Sequence, residues 1–174
     1  MTPKRLLLLM IALLVPAAPA SAPVLATETV TPQAVRAALV YNFIKLTGWP
    51  APTGPARLRL CVATGDPAQM AAIEALGDRL VRGMPLAPVR FVQQLDCRVI
   101  YVDSPRLWQD VVDRQASGQA LTIGSYPGFV RDGGMIEISQ LDGQTRFDIN
   151  LLEARRAGLH LQPQLLRLAR RIVE

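Results

Sequence analysis

The chain has 174 residues, half of them hydrophobic, which suits one domain with a sizeable core. Aromatics at 5% and charged residues at 19% are neither the composition of a disordered chain nor that of a nucleic-acid binder. Two cysteines and one histidine, His160, rule out by count a zinc site of four cysteines or of two cysteines and two histidines, and any serine, histidine and acid triad would have to use His160.

Lys4 and Arg5 form a short positive segment, Leu6 to Val15 is apolar, and Pro16 breaks the helix ahead of small residues. That three-part order is the form of a secretory signal peptide, expected over residues 1–26 with cleavage after Ala20 or Ala26, and ten apolar residues are too few to span a bilayer. An exported, periplasmic protein is expected, its mature domain covering 27–174. The formal charge of +5 then falls to +3, because Lys4 and Arg5 leave with the leader. Much of the remaining base is late in the chain, at Arg155, Arg156, Arg167, Arg170 and Arg171. Such a run suits an acidic partner or lipid headgroups, and equally a solvated face beside an apolar stripe.

In an oxidising compartment the pair Cys61 and Cys97 reads as one disulfide, with a redox-sensitive switch as the alternative. Closing that loop would stabilise the fold by roughly 4 kcal/mol on loop entropy.

Thr31-Pro32 is an N-cap followed by a helix-starting proline, and Val35, Ala38, Leu39, Asn42, Phe43 and Leu46 recur at helical spacing up to Gly48. Trp49 to Pro55 is a loop. Arg57 to Val62 is a strand ending at Gly65-Asp66-Pro67, and Pro67 to Leu76 a helix stopped by Gly77. Pro85 to Val92 is a strand, Arg98 to Val102 another that reads as covered on both faces, and a helix follows from Pro105 to Gln115. Ala120 to Gly124 is a further buried strand. Met135 to Ile138 and Thr145 to Ile149 form a hairpin about Asp142-Gly143, Asn150 caps a helix from Leu151 to Ala157, and Pro163 to Val173 is a last amphipathic helix. The pattern predicts a single-domain α/β fold with a mostly parallel central sheet flanked by helices, a C-terminal hairpin and two C-terminal helices.

Gly65-Asp66 and Gly124-Ser125 follow predicted strands, where α/β folds place ligands, without the spacing of a phosphate-binding fingerprint. Asp66, Asp103 and Asp132 are candidate ligands for a hard cation, or equally residues of turns and caps. His160 lacks a nucleophile and an orienting partner, so no catalytic residue is assigned and no cofactor or metal is expected. Trp49, Trp108, Phe129 and Phe147 are interface anchors or core.

Three stretches carry a resemblance over nearly the whole mature chain. They are Val35 to Lys45 with Trp49-Pro50, Leu121 to Gly124 with Gly128-Phe129 and Gly133 to Ile136, and Arg146 to Leu151 running through Ala154 to Leu159 and Leu165 to Ala169. In this order they resemble the YfiR family of periplasmic regulators. The resemblance implies a non-enzymatic protein, often dimeric, that binds the periplasmic domain of an inner-membrane diguanylate cyclase, lowering cyclic di-GMP and biofilm formation. It also implies that Cys61 and Cys97 form the family's structural disulfide. The chain lacks the second, closely spaced cysteine pair of some members, and Asp148 stands where the R-F-E-[IV]-N-L motif has glutamate. The alternative function is a periplasmic small-ligand-binding protein reporting to a sensor histidine kinase. A partner surface is expected at Met135, Ile136, Phe147, Asp148, Glu153, Arg155 and Arg156, against the alternative that Ile136 and Phe147 are core and Asp148 pairs locally. No nucleic-acid partner is expected.

Overall fold

A computed structural model describes residues 30–50, 57–92, 96–113 and 118–174. The expected leader, residues 51–55 of the expected loop and the end of the third expected helix lie outside the described residues. Helix α1 (Pro32–Lys45) begins as its sequence dictates, with the Thr31 hydroxyl accepting from the Ala34 N–H at 3.2 Å and Pro32 in the first turn. Its buried side chains are Ala37, Val40, Phe43 and Ile44. After α1 come β1 (Thr47–Gly48), β2 (Leu58–Ala63), α2 (Pro67–Glu74), β3 (Leu80–Val81), β4 (Met84–Arg90), β5 (Val99–Val102), α3 (Pro105–Val112) and β6 (Leu121–Gly124). The last third contains β7 (Ile136–Leu141), β8 (Gln144–Asn150), α4 (Leu151–Arg156), β9 (His160–Leu161), α5 (Pro163–Leu168) and β10 (Arg171–Val173).

Eight strands form one sheet in the order β10-β8-β7-β6-β5-β2-β4-β3. The run β4-β2-β5-β6-β7 is parallel, so the α/β reading with a mostly parallel sheet holds. The chain steps from β2 outward to β4, then returns to the other side of β2 for β5, which makes the carboxyl ends of β2 and β5 the topological switch point.

Both faces of the sheet are covered. Leu58, Leu60, Val62, Val99, Tyr101, Leu121, Ile123, Ile136 and Ile149 pack under α1, α2, α4 and α5, and Cys61, Ala63, Ile100 and Val102 pack with α3 and the Tyr126–Val130 loop. The Cys61–Cys97 disulfide lies in the second layer and joins β2 to the residue two positions before β5, with Cα atoms 5.8 Å apart. Phe129 is fully buried there, edge-on to Trp108 and Tyr126 at centroid distances of 4.8 and 5.4 Å. Gly124 and Gly134 press on its ring so closely that a Cβ at either would overlap it.

Asp142 and Gly143 turn β7 into β8 with φ of 49° and 73°, the mirror-image turn that Asp-Gly favours. Arg82-Gly83 makes the same turn between β3 and β4, at φ of 51° and 81°. The sequence reading missed this one because Arg82 is a poor turn signal.

The largest correction is at the C-terminus. The helix expected from Pro163 to Val173 stops at Leu168: Ala169 is extended, the Arg170 N–H donates to the Phe147 carbonyl at 2.9 Å, and Arg171–Val173 pair parallel to Asp148–Asn150. Its Leu165, Leu168 and Ile172 spacing suits a helix, but pairing alongside β8 brings Arg170 and Arg171 to buried Asp148, and these tertiary contacts override the local preference.

Two stability changes follow. Gly134→Ala should cost about 1–3 kcal/mol in urea unfolding, because the Phe129 ring has nowhere to retreat. Replacing both cysteines by alanine should cost up to about 4 kcal/mol, read from the same midpoint with and without reductant.

Candidate functional site

The base of the β7–β8 hairpin alternates, and both of its faces are covered there. Ile136, Ile138, Phe147 and Ile149 join the helix-covered core, where Phe147 meets Phe43 at a centroid distance of 4.9 Å. Glu137 and Asp148 lie directly opposite each other on the other face, both buried. Like charges in that position repel, so each carboxylate needs its own compensation.

Glu137 accepts the N–H groups of Gly128 at 3.2 Å and Val130 at 3.1 Å, which pins the loop that carries Phe129. Asp148, whose side chain is fully buried, accepts from Nε of Arg170 at 2.7 Å, Nη2 of Arg170 at 2.5 Å and Nη2 of Arg171 at 2.7 Å. The Arg170 hydrogen bond is the main cause holding the Asp148 carboxyl below its ordinary value, with the charges of both arginines adding to it against the opposing effect of burial. Aspartate in place of the longer glutamate still reaches both guanidinium groups.

Of the residues expected to meet a partner, Met135, Ile136, Phe147 and Asp148 are therefore inside the protein, and only the α4 residues reach solvent. Asn150 caps α4 through the Glu153 N–H at 3.1 Å. Half-buried Glu153 pairs with exposed Arg156 at 2.6 Å, and Arg155 is exposed. The alternation could not reveal this, because the face carrying Glu137 and Asp148 is polar in sequence and covered in structure.

A second polar cluster sits at the carboxyl ends of β2, β5 and β6, under the first turns of α1. Asp66 caps α2 through the Ala68 N–H at 2.9 Å and accepts from Gln33 Nε2 at 3.1 Å, the bond chiefly responsible for lowering its carboxyl below the ordinary value. Asp103 accepts from the Thr64 hydroxyl. Asp132 accepts instead from Tyr126 Oη at 3.0 Å. The three aspartates thus fill capping and turn positions, and among the described residues no three histidine, cysteine or carboxylate side chains are grouped to hold a metal. His160 is exposed on β9.

Tyr101 and Ser125 share a hydroxyl–hydroxyl hydrogen bond of 2.8 Å, and Arg36 of α1 also hydrogen-bonds the Tyr101 hydroxyl. Burial raises the Tyr101 hydroxyl pKa above its ordinary value. Arg36 and Tyr101 escaped the sequence reading, although a lone arginine inside the apolar run Val35 to Val40 is a signal in itself.

Asp148→Asn should lower stability by about 1–3 kcal/mol at neutral pH, the worth of hydrogen bonds to a charged group. Because folding depresses this carboxyl, its contribution is present above the ordinary value of 3.8 and vanishes as pH falls through the lower folded value. Urea midpoints of the wild type should therefore converge on those of the variant in acid.

No curated protein matches the chain. Among solved structures it is similar to a conserved domain protein from Vibrio cholerae O1 biovar El Tor, with 11% identity and a TM-score of 0.50, covering 81% of this chain and 60% of that one. It is also similar to the ABC domain from Streptococcus pneumoniae in complex with L-Trp, with 11% identity and a TM-score of 0.51, covering 82% of this chain and 60% of that one. The chain thus spans 60% of the length of each, and at this identity the likeness is one of fold. The model of the YfiR/HmsC-like family matches residues 33–170, from the first turn of α1 to the arginine that clasps Asp148. The chain belongs to the YfiR/HmsC-like family.

Proposed function

We propose that the protein is an exported periplasmic regulator that binds the periplasmic domain of an inner-membrane diguanylate cyclase and holds it inactive, lowering cyclic di-GMP and biofilm formation. The observation that carries this reading is the family match over residues 33–170, whose members are regulators rather than enzymes. No helix among the described residues is long and apolar enough to cross a membrane. Such a regulator works by capturing one state of its partner, and shifts that partner by no more than its differential affinity for the two states.

The contact surface we assign lies around α4 and β10, which pack beside each other. Leu152, Leu168, Ile172 and Val173 are exposed apolar residues of α4, α5 and β10, and Arg155, Arg156 and Arg167 of the same two helices are exposed with them. This mixture favours a protein surface with an acidic rim.

The test is calorimetric titration of the mature protein with the purified periplasmic domain of the cognate cyclase. Saturable binding is expected, and Arg155→Glu with Arg156→Glu should weaken it about tenfold or more at a temperature where both proteins are fully folded, the loss of the Glu153 pair and the acids in the last turn of α4 costing only about 1 kcal/mol of stability. Failure of the wild type to bind overturns the reading, and unchanged affinity in the double variant removes this surface.

A further inference from the structure

Beyond partner binding, we propose that the cleft between the start of α1 and the outer part of the β7–β8 hairpin is a binding site for a small monocarboxylate with a short apolar body. β6 pairs with only Ile136 and Glu137 of β7, so Ile138 to Leu141 run past its end and form one wall, while Arg36 forms the other. The space between them, about 290 Å³, is lined by Arg36, Ser125, Pro127, Ile138, Ser139 and Gln140. It opens at the carboxyl edge of the parallel strands beside the switch point, where α/β sheets bind ligands.

Arg36 and the Tyr101–Ser125 hydroxyl pair supply donors for one negative charge. Arg36 is half-buried, and among the described residues no carboxylate lies within ion-pair distance of it. Tyr101 and Ser125 have two hydroxyl protons and spend one on each other, leaving the second to donate. Ser139 and Gln140 close the outer end of the cleft as part of its wall, without a hydroxyl turned into it. One guanidinium balances a single charge. Asp66 and Asp103 stand close enough for their charges to be felt at Arg36 and Tyr101, which disfavours a dianion such as phosphate. Pro127 and Ile138 provide the apolar wall, and at about 30 Å³ per small group the space admits roughly ten heavy atoms.

The probes are isovalerate, its uncharged counterpart isoamyl alcohol, and inorganic phosphate, titrated into the mature protein by calorimetry and by amide chemical shifts. Isovalerate should bind saturably and shift the amides of Ser125, Ser139 and Gln140, whereas the alcohol and phosphate should not. Arg36→Gln should weaken isovalerate about tenfold or more. Ser125→Ala should weaken it severalfold, by removing the hydroxyl that shares its proton with Tyr101. Absence of saturable isovalerate binding, equal binding of phosphate, or affinity indifferent to Arg36→Gln overturns the proposal. No arm of the experiment involves the membrane partner, so it succeeds or fails independently of the cyclase reading.

Discussion

A carboxylate with no solvent exposure, set directly across a strand pair from a second buried carboxylate, dictates much of this structure. Asp148 cannot remain charged inside the sheet unless cations reach it, and those that do, Arg170 and Arg171, follow α5. Meeting them ends α5 after Leu168, extends the chain and adds an eighth strand. The pair keeps one side wet, since the arginine side chains are 36% and 56% exposed while the aspartate is closed off. That asymmetry limits the desolvation cost to one group, which a fully buried triad would not do.

Its neighbour Glu137 solves the same problem with backbone. By accepting from Gly128 and Val130 it fixes the loop after β6, and that loop carries Phe129 onto Gly124 and Gly134. Ser125 and Pro127, at the start of the loop, are thereby held against the end of the sheet. The cleft near Arg36 inherits its shape from a charge buried on the opposite face.

Much of the fold was legible because its signals are local. The Thr31-Pro32 cap, the apolar runs of β5 and β6, the Asp142-Gly143 turn and the Asn150 cap each declare themselves within a few residues. What escaped depends on partners remote in sequence. β1 and β9 are two residues each and exist only by pairing with each other, and β10 is decided by a carboxylate 22 positions away. The candidate site suffered from the same limit. Periodicity separates the two faces of β7 and β8 without saying which is covered, so Ile136 and Phe147 could equally have been surface or core, and Arg36, Tyr101 and Ser125 come together only once three separate elements are in place.

The short ribbon of β1 and β9 also bears on how the chain reaches this state. Thr47 pairs with Leu161, which is synthesised on the order of a hundred residues later, so the hydrogen bonds that close off α1 have to wait for nearly the whole polypeptide. Gln162 then donates to the Leu46 carbonyl at 2.9 Å, sealing the same end of the helix. The C-terminal end of α1 is therefore locked only once both halves of the chain are available together. For a polypeptide exported as proposed, such delay would be an advantage: the closing step would fall after passage, with less to unravel before it.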